Sequence, residues 1–219
     1  SLAGQEITVY GNGGVNVVRA APGVSLDARN LLGSTDVIVF NNEYILKQKL
    51  SASYQNQIVN AIRTKLKEKN IKATFFCIGK QIEKHPETFQ RIIAEGHTIG
   101  NHTFSHSNNT GFLSTQKMIE EIEKCDEMML KVGNIQTDLY RPPFGVTNPN
   151  IAKAIKKTHK KSIGWNIRSL DTIKENEKKI FRKVTKNLKK GSVILLHDTS
   201  EKTYNVLVDL LIFLKDKKY

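Results

Sequence analysis

The amino-acid sequence predicts an α/β fold in which parallel strands are covered by helices, as an open sheet or a barrel. Three observations lead there. Short apolar runs (DVIVF at 36–40, ATFFCI at 73–78 and SVILL at 192–196) alternate with segments whose apolar residues recur at helical spacing. Polar residues gather where those runs end: Asn41-Asn42, then His102 and His106, then Arg141, then His197-Asp198. No internal sequence repeat points to a solenoid instead.

Taken in order, Glu6 to Arg19 carries β-branched residues around Gly11, Gly13 and Gly14 and predicts a short strand and turn. Asp36 to Phe40 is a compact apolar strand, followed by Asn41, Asn42 and Glu43. Ile58, Ile62 and Leu66 fall on one helical face in a segment ending near Asn70. Ala73 to Ile78 is apolar throughout and bounded by Gly79, as expected of a strand covered on both faces. A helix over Pro86 to Glu95 opens on proline and stops before Gly96, and a strand through His97 to Ile99 follows. Ser114 to Gln116 can cap a helix bearing Ile119, Ile122 and Met129, with Gly133 marking its end. Leu139 and Tyr140 lead into Arg141-Pro142-Pro143-Phe144-Gly145, where two prolines impose a rigid turn. Helix Ile151 to Lys157, strand Ser162 to Ile167 around the single Trp165, a helix before Gly191, strand Ser192 to Leu196 and a helix with Leu207, Leu210, Leu211 and Leu214 complete the chain.

Length and composition bound what such a fold can be. At 219 residues one large domain is expected, at about 150 residues per domain as a prior. No apolar run reaches the ~18 residues of a membrane span, so a soluble protein is expected. The chain opens at Ser1 without a basic-then-apolar leader, which fits a mature or trimmed product. Two cysteines, Cys77 and Cys125, are too few for a disulfide framework and read as buried free thiols. The net charge of +13 is uneven: residues 151–219 hold 18 basic and 7 acidic side chains, so eleven of the thirteen excess charges lie in the last third. That field attracts an anionic surface, although lysines along helices are commonly just solvated. No aromatic-interleaved basic stripe or nucleic-acid motif is present, so no specific nucleic-acid partner is expected.

The stretch GHTIGNHTFSH at 96–106 carries the chemistry most directly. His102 and His106 stand four residues apart in a polar, glycine-containing segment, and two neutral imidazoles in one tight turn can share a metal ion. The alternative is a polar loop with two unrelated histidines. In parallel α/β architectures the carboxyl ends of the strands form the active face, so the four polar clusters are expected to meet there.

ATFFCIG, HPETFQRIIAEGHTIGNHTFSH, RPPFG, GWNIRSLD and SVILLHD, in that order, resemble the polysaccharide deacetylases of carbohydrate esterase family 4, the NodB-homology domain that includes chitin deacetylases. The similarity runs from about Asp36 to the end, leaving 1–35 as an N-terminal extension packed on a single domain, 1–219. The resemblance implies a distorted (β/α) barrel and metal-dependent deacetylation of N-acetylglucosamine polymers such as chitin or chitooligosaccharides. It also implies a secreted or cell-wall location. It implies Zn²⁺ or a similar divalent ion on His102, His106 and the position of Asn42, and a general base at the position of Asn41. Arg141 to Phe144 match the motif that builds one groove wall and helps hold the oxyanion. Leu196 and His197 match the acetate pocket and general acid.

The departures from the family pattern are chemical. Both first-motif aspartates align with amides, Asn41 and Asn42, in Val39-Phe40-Asn41-Asn42-Glu43. An amide has no useful basicity and carries no anionic oxygen for a metal, so neither base nor tight metal binding is expected. Glu43, one residue on, is an alternative for either role. In GWNIRSLDT the family's first aspartate falls at Arg168, its second at Asp171 and its tryptophan at Thr172. An arginine beside His197 would disfavour the imidazolium. The sequence thus favours a carbohydrate-associated, catalytically inactive or strongly impaired family member. The competing reading is an active metal-dependent chitin deacetylase with a non-standard base, and a third is an adhesive basic protein.

Overall fold

The computed structural model describes residues 6–11, 14–19, 37–41, 52–172, 176–198 and 201–217, with side-chain surroundings from Val59 onward. Strands β1 (Glu6–Gly11) and β2 (Gly14–Arg19) form an antiparallel hairpin with Gly11 opposite Gly14. The predicted single strand and turn is therefore two strands, and the rest of the N-terminal extension lies outside the described residues. Asn42 and Glu43 also lie outside them.

The remaining strands are β3 (Val37–Asn41), β4 (Thr74–Cys77), β5 (Thr98–Asn101), β6 (Leu139–Tyr140), β7 (Lys161–Ser162), β8 (Ile167–Arg168) and β9 (Val193–His197). They pair in the order β7-β6-β5-β4-β3-β9-β8, and every pairing is parallel. Among the described residues no ladder joins β7 to β8, and these two end strands are linked to each other by residues 163–166. The helices are α1 (Ala52–Glu68), α2 (Gly79–Lys84), α3 (Pro86–Ala94), α4 (Thr115–Gly133), α5 (Pro149–Lys157), α6 (Glu177–Lys186) and α7 (Glu201–Asp216). From β3 onward the predicted alternation holds except where β7 and β8 divide one expected strand and α2 precedes α3, a helix the sequence reading lacks.

Local sequence explains the boundaries. Ser114 caps α4 by accepting from the Lys117 amide, and Asn148 and Asn176 do the same for α5 and α6. Gly133 is still helical, and the left-handed residue that ends α4 is Asn134, a residue whose short side chain tolerates that conformation. All four residues of β4 are buried, as its unbroken apolar run predicts. Phe75 and Cys77 belong to the large core shared with α1, α3, α4 and α7, whereas Phe76 packs with Leu139, Ile163 and Val193. Ile62, Leu66, Leu207 and Leu210 are fully enclosed, each contributing about 1.5–3 kcal/mol by leaving water.

The predicted continuous strand from Ser162 to Ile167 is interrupted. The Arg141 guanidinium reaches over from the end of β6 and takes the carbonyls of Ile163 (2.9 Å) and Gly164 (2.7 Å). Those carbonyls bond a side chain instead of a neighbouring strand, and the segment splits into β7 and β8.

Candidate active site

Strand register brings the polar clusters together. Asn41, the last residue of β3, lies opposite His197 of β9 on one side and Phe76 of β4 on the other. Cys77 pairs with Asn101, and Asn101 with Tyr140, so His102 and Arg141 leave adjacent strands at one level. The carboxyl-end convergence expected of the fold is what the register shows.

The histidine loop is held from three directions. The amides of Gly79 and Lys80, which begin α2, donate to the carbonyls of Thr103 (3.0 Å) and Phe104 (2.9 Å), while the His102 amide donates to Cys77 (3.0 Å). Gly79 is needed for this approach, since a Cβ there would stand 2.5 Å from Phe104 Cδ2. Glu121 of α4 accepts from both the amide and hydroxyl of Ser105, and the Asn101 side chain accepts from the Thr103 amide. Thr103 and His106 both adopt left-handed backbone (φ 67° and 49°), a strained conformation for branched or ring side chains that such surroundings sustain.

His102 and His106 are fully buried, with ring centroids 4.8 Å apart at 63°. His102 Nδ1 lies 2.6 Å from the Arg141 carbonyl. A carbonyl only accepts, so Nδ1 carries the proton and Nε2 keeps the lone pair, the arrangement metal-ligating histidines use. Phe144, at φ 57°, sets its ring 4.7 Å from His106. Two such imidazoles could supply part of a divalent-metal site. Among the described residues no group of three or more His, Cys, Asp or Glu side chains could hold a metal ion, and the third position inferred from sequence, Asn42, lies outside those residues.

Arg141 is completely buried, with its guanidinium 4.4 Å from the Phe76 ring and 5.4 Å from the Trp165 ring. It anchors the Pro142–Gly145 turn to the 163–165 segment and so fixes the wall bearing Phe144.

His197 ends β9 almost fully buried, with Leu196 beside it inaccessible to solvent. The sequence reading placed Arg168 at the position supporting this histidine, and the structure corrects it. Arg168 is exposed and pairs along the ladder with Leu195, whereas Asp171 is the group in contact. One Asp171 oxygen accepts from His197 Nδ1 (2.8 Å) and the Ser169 hydroxyl (2.8 Å). The other accepts from the His197 amide (2.8 Å) and the Thr203 hydroxyl (2.9 Å). Burial alone would raise the Asp171 carboxyl, but the His197 imidazole and these hydrogen bonds hold it below the usual carboxylate value. The physical reason for the misplacement is the turn at 169–171: Ser169 bonds the carboxylate two residues on and Leu170 takes left-handed backbone (φ 59°), so Asp171 folds back onto β9. Ser169 and Thr203 were missed in the sequence, as were Asn101 and Glu121. A hydroxyl two residues before an aspartate was the available signal for Ser169; Thr203, in the first turn of α7, had none.

Comparison with known proteins agrees with this fold. Residues 37–163 match the family model described as polysaccharide deacetylase. The chain is 35% identical over 138 residues to a peptidoglycan-N-acetylglucosamine deacetylase of Bacillus cereus, covering 63% of this chain and 50% of that protein. It is 29% identical over 170 residues to the peptidoglycan-N-acetylmuramic acid deacetylase PdaA of Bacillus subtilis, covering 76% of this chain and 64% of that protein. It thus spans between half and two thirds of the length of these relatives. The crystal structure of BA3943, a CE4 family pseudoenzyme from Bacillus anthracis, superposes with a TM-score of 0.73 at 21% identity over 84% of this chain and 62% of that one, a likeness of fold. With the ordered motifs, the α/β architecture and the family model in agreement, this chain belongs to the polysaccharide deacetylase family.

Proposed function

We propose that the chain recognises the N-acetylhexosamine backbone of a peptidoglycan-type glycan outside the cell membrane and has lost most of the family's hydrolytic power. The observation that carries this reading is Asn41 at the carboxyl end of β3, in register with His197. The position in register with this histidine carries an amide, which cannot take a proton from water. Peptidoglycan is favoured over chitin because the curated relatives are named for peptidoglycan substrates.

The two halves of the chemistry have fared differently. A divalent metal, held by His102 and His106, would supply carbonyl polarisation and water activation. His197 is oriented by Asp171 to protonate a leaving amine, and Phe144 and Arg141 shape the wall beside His106. The base half is an amide. The intact His197–Asp171 pair is the one observation favouring a second reading, an active deacetylase with a non-standard base such as Glu43.

The test is the double change Asn41→Asp with Asn42→Asp. Zinc titration and acetate release from peptidoglycan fragments and chitooligosaccharides are compared with the unmodified protein. The expected result is little release from the unmodified chain, and in the variant at least ten-fold tighter zinc binding with a rate gain of about 10² to 10⁴. Stoichiometric zinc binding with turnover by the unmodified chain would overturn the impaired reading.

A further inference from the structure

The segment from Glu177 to Lys190 carries seven cations against one acid within fourteen residues. Lys178, Lys179, Arg182, Lys183 and Lys186 are all exposed on α6, and exposed Lys189 and Lys190 follow it. The one acid, Glu177, accepts from the Asn205 side chain (2.8 Å). Ile180, Val184 and Leu188 are buried at four-residue intervals, so the helix is seated on the core and its outward side is cationic. A merely solvated face looks different in this same protein. On α4 the exposed charges are Lys117, Lys124 and Lys131 against Glu120, Glu123 and Glu127, three of each sign, which limits self-repulsion. Lys179 has a partner of its own, and the other six cations of these fourteen residues repel one another and lower stability unless an anion covers them.

We propose that this face is a docking surface for a flexible phosphodiester polymer of the polyol-phosphate kind. Lys178, Arg182 and Lys186 rise about 6 Å per step along the helix, forming a row against which a linear polyanion can lie. Six of the seven cations are lysines, point charges suited to a mobile phosphate chain, whereas base-edge reading favours the planar fork of arginine. No exposed aromatic lies on the segment to stack nucleobases; its single aromatic, Phe181, is half-buried with its ring 5.8 Å from Phe213. Among the described residues the exposed large hydrophobics are Phe112, Leu130 and Ile212. None is on the segment, so the apolar flank a membrane-surface helix inserts is missing. The surface acts independently of whether the site hydrolyses amides.

The experiment measures binding of the intact chain to a synthetic poly(glycerol phosphate) as a function of salt. Changing Lys178, Arg182, Lys183 and Lys186 together to Gln is expected to lower affinity at least ten-fold. It should also flatten the slope of log affinity against log salt by about 3, at ~0.7 per charge on a single flexible strand. The matched set Lys80, Lys84, Lys117 and Lys131→Gln, with the same net charge, leaves both nearly unchanged. Circular dichroism verifies that each variant is folded, and Asn187→Lys, which adds a cation to the same exposed face, strengthens binding. Equal losses from both sets, or no gain from Asn187→Lys, would overturn the proposal. So would tighter binding to duplex DNA or to anionic phospholipid vesicles.

Discussion

Changing Asp171 to Asn tests the histidine support without requiring any turnover. The carboxylate receives two donors at each oxygen; an amide offers an acceptor at one end only. The His197 amide has a fixed proton, so the Asn oxygen should stay at the end shared by His197 N–H and Thr203. Its NH₂ then faces Ser169 Oγ and His197 Nδ1. The serine hydroxyl can turn to accept, and His197 can oblige only by moving its proton from Nδ1 to Nε2. No hydrogen bond need be lost outright, but four charge-assisted bonds become neutral ones in a fully buried setting. At a few tenths to 1 kcal/mol each, the loss sums to about 2–3 kcal/mol. For a chain of this size that lowers the thermal midpoint by roughly 4–12 °C. The sign with pH is fixed by linkage: the folded Asp171 pKa lies below its ordinary 3.8. Its stabilisation is therefore full above that ordinary value and is lost as pH falls through the folded one. Urea unfolding at pH 7 and at stepwise lower pH gives the free energies, and nitrogen-15 chemical shifts give the tautomer. A variant within 0.5 kcal/mol of the parent at pH 7, or one whose His197 keeps its proton on Nδ1, would refute the reasoning.

Two further perturbations probe the scaffold. His97 Nδ1 accepts from the Ala73 amide (3.3 Å), and burial pushes this imidazole down to about 4 although Glu95 pulls it the other way. Because that value is below the ordinary 6.5, the unfolded chain takes up the proton first. Stability therefore falls between pH 6.5 and 4 by up to about 3 kcal/mol, and His97→Gln should flatten this dependence in urea midpoints. At Gly100, an added Cβ would lie 2.4 Å from Phe76 Cε1, beneath the ring that the Arg141 guanidinium faces. Gly100→Ala is expected to cost about 1–3 kcal/mol in thermal or urea unfolding.

Legibility in the sequence followed the range of the interactions. ATFFCI announced β4 because a strand buried on both faces needs apolar residues at every position, and Pro86 marked the start of α3 because its ring fits only the first turn. His102 and His106 were legible from spacing. Arg141 was found as a motif residue, but its reach to the carbonyls of 163 and 164 was not, and so the division of one expected strand into β7 and β8 was missed. The support of His197 was placed at Arg168 because the family motif, matched residue by residue, puts its first aspartate there, while the turn through Ser169 and Leu170 that brings Asp171 to the histidine depends on contacts with β9 and α7. Helix α2 has six residues, too few for helical periodicity to register, and its value lies in two amides given to the histidine loop.

The two end strands of the sheet bear on how this molecule meets its own kind. The end strands of a sheet are where a stray strand could be recruited in crowded solution. Both margins here, β7 and β8, are two residues long, and an intruder gains only a rung or two of backbone pairing before the chain turns away. The lysine that opens one margin, Lys161, is paired with Asp138, and the arginine that closes the other, Arg168, projects into solvent. The same guanidinium of Arg141 that shapes the wall of the site therefore keeps the margins short, by claiming the carbonyls that would have lengthened one of them. Assembly of this chain through strand exchange is disfavoured by a residue buried beside its candidate active site.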